Sequence, residues 1–263
     1  MRRRYDRDRR YSIAGAAGGG SVVAPAYAPP AVSGATLMSW VEPSDTTSGI
    51  NTIVSGGFTI VGDKTGNHAP WAQSGAASLR PTVSSIGGRQ CIRYTQAPTT
   101  WLVGPTFATN FALGVHTFWV LQTDLDPEAT ASPHHKFDSN TVGNNLYPFS
   151  DGNVYDGYGS TTRKSTGNPA IPLTTPHVYE IISVAGEHTF RFNDVTHFTT
   201  GVNVVGWDPA QSILGAGSTT LGTNPPTNFS KARHGTKLDY NAKLSASDAT
   251  AVINSLKAWW SIA

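Results

Sequence analysis

The residues of this chain that are best suited to chemistry are its carboxylates, but their spacing does not favour catalysis. Glycoside hydrolysis needs two carboxyl groups that face one bond, one as the acid and the other as base or nucleophile. Glutamate occurs only at Glu42, Glu128, Glu180 and Glu187, and no two of these stand two positions apart. Glu180 has apolar neighbours, and we expect it to be a solvent-facing strand residue. We therefore predict no catalytic residues and no enzymatic activity.

An acidic segment and a histidine pair are candidates for metal binding. Asp124, Asp126 and Glu128 alternate along the chain and offer hard oxygen ligands, but they lack the glycine and the closing glutamate of an EF-hand loop. His134 and His135 are adjacent, so on an extended strand their side chains point to opposite faces. We expect no metal and no cofactor, with Ca²⁺ as the alternative.

Nucleophile and phosphate-loop motifs are missing from the sequence. It contains no Gly-x-Ser-x-Gly segment and no glycine-rich loop that ends in Gly-Lys-Ser/Thr. Cys91 is the single cysteine and lies in a predicted core strand, where we expect a small buried apolar side chain. The lack of an intrachain disulfide favours folding in a reducing compartment.

Aromatic residues outside the predicted strands are the remaining candidates for a binding site. Sugars are bound on aromatic ring faces with amide and carboxylate groups beside them. Tyrosines, asparagines and an aspartate fall together in the turn-rich stretch 144–158, and a tryptophan lies in an earlier loop. The alternative for these residues is packing in the core or at a subunit interface. The candidate glycan-binding residues are Trp71, Asn144, Asn145, Tyr147, Asp151, Tyr155 and Tyr158.

A basic arm stands apart from the rest of the sequence. Its arginines alternate with Asp6 and Asp8. Positive charge is concentrated in this arm, although the whole chain has a formal net charge of only +2. This alternation suits charge-paired insertion into a groove of a partner protein. Contact with nucleic acid phosphates and a solubilising tail are the alternatives. The candidate partner-anchoring residues are Arg2, Arg3, Arg4, Arg7, Arg9 and Arg10.

The elements that must position these residues are mostly β-strands. Residues 11–35 are largely Gly, Ala, Pro, Ser and Val, so we expect arm and linker at 1–35 and one globular domain at 36–263. A signal peptide is not expected, because aspartates interrupt the basic start and glycines follow it. No apolar run approaches the roughly 20 residues of a membrane span. The predicted strands are residues 57–61, 89–94, 117–122, 178–184, 189–192 and 211–214.

The C-terminal residues predict a single amphipathic helix after the last strand. Ser245 can cap its N-terminus by accepting from the backbone N–H three residues on, and Asp248 has the position of a capping-box carboxylate. Apolar residues then recur with helical spacing, which predicts one buried stripe. These residues are Ala249, Val252, Ile253, Leu256, Trp259 and Trp260.

Four segments, in this order, resemble the concanavalin A-like (laminin G-like) jelly-roll domains, particularly those of bacteriophage virion proteins and bacterial surface proteins. They are the Asp-Lys-Thr-Gly-Asn-His-Ala loop at 63–69, the strand at 86–94, the hairpin at 179–193 and the Asp-Tyr-Asn-Ala-Lys-Leu-Ser segment at 239–245. The resemblance implies an all-β fold, namely an antiparallel two-sheet jelly-roll sandwich with one C-terminal α-helix and an extended N-terminal arm. The paired-carboxylate strand of the glucanases in this superfamily is missing here.

The resemblance and the arm together predict a non-enzymatic structural protein of a phage virion, as a capsid decoration, head-fibre or tail-fibre component. We expect it to fold in the host cytoplasm, to stand on the particle surface as a homo-oligomer, and to contact other virion proteins through the arm. No membrane partner and no nucleic acid partner is expected. The alternative is a carbohydrate-binding adhesin module that recognises host surface glycans through exposed aromatic residues. A glycan-cleaving enzyme is a second alternative, and it requires a carboxylate pair in a groove.

Overall fold

A computed structural model describes residues 26–46, 49–95, 99–107, 110–124, 135–136, 145, 147–148, 151–207, 212–217 and 228–263. The arginines and aspartates of the basic arm lie outside the described residues, as do Asn144, Asp126, Glu128 and His134. What the sequence indicates for them stays a prediction.

β-strands make up nearly all of the regular structure, and one α-helix follows them near the C-terminus of the described chain. A short 3₁₀ turn at Ala77–Leu79 connects two strands. No helix of the described residues is long and apolar enough to cross a membrane. The elements are β1 (Leu37–Val41), β2 (Thr52–Val54), β3 (Gly57–Val61), β4 (Trp71–Ala72), β5 (Thr82–Ile86), β6 (Arg89–Arg93), β7 (Leu102–Val103), β8 (Gly114–Thr123), β9 (His135–Lys136), β10 (Tyr155–Asp156), β11 (Lys164–Ser165), β12 (His177–Val184), β13 (Glu187–Phe192), β14 (Val195–Thr200), β15 (Ile213–Leu214), β16 (Ala216–Gly217), β17 (Asn228–Phe229), β18 (Ala232–Tyr240) and α1 (Ala246–Trp260).

Most of the strands join one antiparallel sheet that folds over on itself. Its hydrogen-bonded path runs β14-β13-β12-β8-β18-β6-β5-β3-β4-β7-β15-β9, with β1 beside β18 and β2 beside β3. Trp119 and Tyr179, from the first part of the path, pack in the same core as Phe58, Trp71 and Leu214 from the second part. Two facing layers therefore enclose one core. This arrangement confirms the predicted β-sandwich with one C-terminal helix.

Strand β8 lies near the centre of the sheet and is buried on both faces, as is typical of a strand with a continuous apolar run such as Phe118–Leu121. Because successive side chains of a strand point to opposite faces, Trp119 and Leu121 enter the sandwich core. Phe118 and Val120 enter a second core beneath α1. Cys91 lies in this second core as a free, buried thiol, and burial raises its pKa to about 12. A thiol in this state is a packing residue, as expected.

Helix α1 begins at the predicted N-cap residue, and its buried face matches the prediction except at Trp259. The Ser245 hydroxyl accepts from the backbone N–H of Asp248 at 3.1 Å. The Asp248 carboxylate accepts from the backbone N–H and the hydroxyl of Ser33, at 3.3 and 3.1 Å, so it also ties the preceding segment to the helix. Trp259 is half-buried. The fully buried residues of α1 are Ala249, Val252, Ile253, Leu256 and Trp260.

Residues 26–35, which we call the strap, run along α1. Tyr27 is 4% exposed, and its hydroxyl lies 2.9 Å from the hydroxyl of Ser255. Its ring packs against Trp40 and Trp259, with centroids 6.0 and 5.7 Å away. Burial of such a ring contributes about 1.5–3 kcal/mol. The boundary expected at residue 36 therefore leaves out a segment that packs into the folded unit.

The loop that follows β3 holds β1 in place through hydrogen bonds. Oδ1 of Asp63 accepts from the backbone N–H groups of Trp40 and Thr65, each at 2.9 Å, and Oδ2 lies 2.8 Å from Nδ1 of His68. Burial opposes ionisation, but these hydrogen bonds hold the pKa of Asp63 below its ordinary value. The Thr65 hydroxyl also donates to the carbonyl of Met38 at 3.0 Å. The first segment of the jelly-roll resemblance thus has a structural role here.

Candidate functional site

Trp71, expected in an exposed loop, lies in the sandwich core. It belongs to β4, has no exposed surface, and its ring centroid lies 5.9 Å from that of Phe107. The register of β3 and β4 pairs it with Val61, and both side chains belong to the same core. The prediction that Trp71 presents a ring face to a glycan is wrong, because the strand directs that ring inward.

Tyr147 and Tyr158 are also buried, because each hydroxyl has a partner inside the sandwich. The Tyr147 hydroxyl lies 2.5 Å from Nε2 of His177, and the Tyr158 hydroxyl donates to Asp239 at 2.9 Å. Nδ1 of His177 donates to the carbonyl of Thr175 at 2.8 Å, and burial lowers the pKa of this histidine to about 4. The imidazole is therefore neutral and accepts from Tyr147. The prediction that both tyrosine rings are exposed is wrong.

Asn145 belongs to a buried polar cluster around Asp156. The Asn145 amide and the Tyr179 hydroxyl donate to Oδ2 of Asp156 at 2.5 and 2.8 Å, and the backbone N–H of Tyr158 donates to Oδ1 at 2.7 Å. Burial raises the pKa of Asp156 to about 7, against the influence of these hydrogen bonds. Asn145 is 1% exposed, so its assignment to an accessible glycan site is also wrong.

Asp151 and Tyr155 are the candidate residues that the structure leaves accessible. The Tyr155 hydroxyl donates to Oδ2 of Asp151 at 2.7 Å, and this hydrogen bond is the main reason why the pKa of Asp151 lies below its ordinary value. The guanidinium of Arg163 lies 5.2 Å from the centre of the Tyr155 ring. Asn144 lies outside the described residues. A binding role for this hairpin stays a prediction.

The acidic segment considered for Ca²⁺ begins with an aspartate that already has cationic partners. Oδ2 of Asp124 lies 2.8 Å from Nη2 of Arg93, and Oδ1 lies 3.2 Å from Nη2 of Arg233. Asp126 and Glu128 lie outside the described residues. Within the described ranges, no three His, Cys, Asp or Glu side chains are grouped as a metal site requires.

A cleft opens between the outer face of the sheet and the N-terminal end of α1. Its volume of about 350 Å³ is at the lower end of the range of small-molecule sites. Strands β8, β12, β13 and β14 form its floor, and the first turn of α1 forms the facing wall. We call it the sheet–helix cleft. Its polar lining includes His116, Glu180, Glu187, Thr189, Arg191 and Lys243.

Glu180 lies on the floor of this cleft in a buried ionic cluster. Its side chain is 1% exposed, with Oε1 2.8 Å from Nε2 of His116 and Oε2 3.1 Å from Nη1 of Arg191. The register of β12 and β13 places Glu180 directly opposite Arg191. The prediction of a solvent-facing Glu180 is wrong, because a cation on the neighbouring strand compensates its charge in a buried position.

The second nitrogen of His116 fixes the position of the ring proton. The backbone N–H of Leu244 donates to Nδ1 of His116 at 3.0 Å. A nitrogen that accepts a hydrogen bond has to be unprotonated. The proton is therefore on Nε2, which donates to Glu180. The floor of the cleft consists of a neutral imidazole, a carboxylate and a guanidinium.

The rim of the cleft adds an ion pair and a row of hydroxyls. Nζ of Lys243 lies 2.6 Å from Oε2 of Glu187. The hydroxyls of Thr189 and Thr199 lie 2.8 Å apart, at positions that β13 and β14 pair directly. Ile182 adds an aliphatic surface beside them. The cleft thus offers hydrogen-bond donors and acceptors beside an apolar surface.

Sequence reasoning missed this cleft, although part of its signal was present. Glu180 alternates with Ile182, and Thr189 alternates with Arg191, so each pair shares one face of the predicted hairpin. The contribution of Lys243 and of the helix had no such signal, because these residues approach the hairpin only in the folded chain.

A second cleft, of about 370 Å³, lies beside β4 and β7. It is lined in part by Trp101, which is 4% exposed, and by Gln73. The Gln73 amide donates to the carbonyl of Trp101 at 3.2 Å and accepts from the backbone N–H of Gly75 at 2.8 Å. The backbone already engages this amide, so we take the sheet–helix cleft, which brings a carboxylate and a guanidinium together, as the candidate site.

Comparison with known proteins relates the fold to solved structures. No family model and no curated protein sequence matches the chain. Domain 4 of AbnA, a GH43 extracellular arabinanase from Geobacillus stearothermophilus in complex with arabinotriose, is similar with a TM-score of 0.56 and 14% identity, over 83% of this chain and 98% of that domain.

Two further similar structures are parts of larger chains. Trypanosoma rangeli sialidase in complex with sialic acid aligns with a TM-score of 0.52 and 14% identity, over 84% of this chain and 33% of the sialidase. The binding domain of botulinum neurotoxin DC in complex with SialylT aligns with a TM-score of 0.54 and 9% identity, over 84% of this chain and 51% of that chain. At such low identity these likenesses show a shared β-sandwich fold.

Proposed function

We propose that the sandwich is a non-enzymatic carbohydrate-binding module and that the sheet–helix cleft is its ligand site. The observation that carries the proposal is the composition of the cleft. A buried carboxylate, a guanidinium, threonine hydroxyls and an aliphatic patch line one concave surface of about 350 Å³. Sugars present hydroxyls and C–H faces side by side, and such a lining matches both.

The comparisons support this choice of ligand class. The similar arabinanase domain is in complex with arabinotriose, and the similar neurotoxin binding domain is in complex with SialylT. The arabinanase domain is matched over nearly its whole length, so the likeness covers a complete module. That this chain also binds a carbohydrate is our proposal, because fold alone does not determine function.

The charges in the cleft favour binding over cleavage. A glycosidase needs one carboxyl group that donates a proton and a second that attacks or activates water. Glu180 is held by Arg191 and His116, and Glu187 is held by Lys243. The guanidinium, the ammonium and the imidazole N–H thus favour both carboxylates as hydrogen-bond acceptors, which suits recognition of hydroxyl groups.

A glycan array probed with the full chain tests the proposal. Ala246 is exposed on the first turn of α1 and lines the cleft, so Ala246→Phe is expected to obstruct the cleft and to reduce glycan binding at least tenfold. Ala258→Phe adds the same ring at an exposed position near the other end of the helix, and it should bind as the unmodified chain does. Absence of binding to every glycan, or equal binding by both variants, would refute the proposal.

The role in a phage virion is a second proposal and depends on the basic arm. Anchoring by charge-paired arginines would leave the sandwich displayed on the particle, where several copies gain avidity for glycans. Deletion of residues 1–10 should prevent incorporation into particles while glycan binding by the isolated chain is retained. Normal incorporation of the truncated chain would show that the arm is not the anchor.

A further inference from the structure

Two buried polar atoms on the floor of the sheet–helix cleft make no hydrogen bond to the described residues. They are Oε2 of Glu180 and Nε of Arg191. Oε2 lies 3.1 Å from Nη1 of Arg191, but this contact is an ion pair without hydrogen-bond geometry. Burial of an acceptor or a donor without a partner costs about 1–3 kcal/mol. A ligand that satisfies both atoms would recover this free energy.

The two atoms belong to residues that face each other across neighbouring strands. Glu180 on β12 is paired with Arg191 on β13, and both side chains line the cleft. Oε2 of Glu180 can accept a hydrogen bond, and Nε–H of Arg191 can donate one. A hydroxyl group does both, so two hydroxyls on adjacent carbons can donate to the carboxylate with one oxygen and accept from the guanidinium with the other.

The charges around these atoms are already balanced within the protein. Arg191 pairs with Glu180 and with Asp194, and Lys243 pairs with Glu187. Among the described residues that line the cleft, each basic side chain already has a carboxylate partner, and an anionic sugar would bring its own charge close to Glu180 and Glu187. Like charges at such distances cost free energy. An uncharged ligand avoids this cost.

We propose that the cleft selects an uncharged sugar and holds it by a vicinal diol between Oε2 of Glu180 and Nε of Arg191. This inference rests on the proposed carbohydrate-binding function and names the ligand class of the same cleft. Ile182 and Leu244 supply the apolar surface for the C–H face of the ring. His116 acts as a positioning residue, because its Nε2 proton holds the other oxygen of the carboxylate.

Titration calorimetry of the full chain tests the ligand class. The probes are the uncharged arabinotriose and methyl α-mannoside, with 3′-sialyllactose as the charged probe. At least one uncharged probe should bind, and the charged probe should bind at least tenfold more weakly. Methylation of one hydroxyl of the diol should also weaken binding at least tenfold. Tighter binding of sialyllactose would overturn the inference but leave the proposed function intact.

Arg191→Lys tests the contact itself, because it keeps the positive charge beside Glu180 but removes Nε. Binding of the uncharged probe should weaken at least tenfold, a change of about 1.4 kcal/mol. Arg93→Lys, on β6 and outside the lining of the cleft, likewise removes an Nε that donates to a carboxylate, that of Asp124, and is the matched control, which should leave the affinity unchanged. Glu180→Gln provides a second variant, and thermal unfolding verifies that each variant is folded. Unchanged affinity in a folded Arg191→Lys chain would overturn the inference, whereas failure of all probes would overturn the proposed function as well.

Discussion

Gly87 lies directly against the backbone carbonyl of Trp260, the last residue of α1. A Cβ atom at position 87 would lie 2.0 Å from that carbonyl oxygen. Gly87 also has a φ of +54°, in the left-handed region that glycine adopts without steric cost. The turn between β5 and β6 therefore sets how closely the end of the helix approaches the sheet.

Replacement of Gly87 is expected to displace the helix end, whereas replacement of its neighbour is not. Gly88 has a φ of +79° but no atom within 4 Å of its Cβ position, so Gly88→Ala should cost only backbone strain of about 1–2 kcal/mol. Gly87→Ala adds the clash with Trp260 and should lower the free energy of unfolding in urea by clearly more. Equal losses of unfolding free energy in the two variants would mean that the close contact between position 87 and the end of the helix does not affect stability.

Asp156 is expected to make the protein less stable as the pH rises. Its pKa is about 7 in the folded chain, against an ordinary value of 3.8, so the folded chain binds this proton more tightly. The contribution is present in full below the unfolded pKa and is lost as the pH rises through the folded pKa. Between about pH 4 and pH 7, urea unfolding should show a larger loss of stability for the unmodified chain than for Asp156→Asn, by up to about 1.4 kcal/mol per pH unit. The same pH dependence in both chains would contradict the burial of an uncharged carboxyl group.

His177 is expected to act in the opposite direction. Burial lowers its pKa to about 4, from an ordinary 6.5, so its stabilising contribution is present above the ordinary pKa and is lost as the pH falls through about 4. NMR titration of the ring protons should show no change between about pH 7.5 and pH 5.5, where an exposed histidine changes charge. A titration midpoint near 6.5 would show that the Tyr147 hydroxyl does not hold the neutral ring.

The strap is expected to be a stabilising part of the domain. Tyr27→Ala removes a ring that is 4% exposed and should lower the free energy of unfolding by about 3 kcal/mol, as for other large buried rings. Deletion of residues 1–25 leaves Tyr27 in place and serves as the control, which should unfold at the same urea concentration as the full chain. Loss of stability in the deletion, without an effect of Tyr27→Ala, would contradict the role of the strap.

Local patterns in the sequence were sufficient for several elements. The continuous apolar run from Phe118 to Leu121 predicts a strand buried on both faces, and the structure has it in β8. Ser245 and the apolar spacing after it predict the start and the buried face of α1. These features depend on neighbours within a few residues. The spacing of apolar residues and the type of the capping residue therefore indicate them directly.

The prediction of binding residues was wrong where the exposure of a side chain was inferred from its position in a loop. Tyr147 and Tyr158 lie outside long strands, yet their hydroxyls have buried partners at His177 and Asp239. These partners stand 30 and 81 positions away in the chain. A local pattern does not report such distant partners, and burial follows from them.

The sequence by itself determined the class of fold, the single helix and its cap, because hydrophobic periodicity and capping are local properties of the chain. The tertiary structure alone decided which polar residues are buried and where a ligand fits. Glu180 shows the reason. Its environment is made by Arg191 on the next strand, by His116 on β8, and by the backbone of Leu244, which positions that histidine. Electrostatic compensation of this kind depends on distances in space, and only the folded chain brings these groups within hydrogen-bonding range.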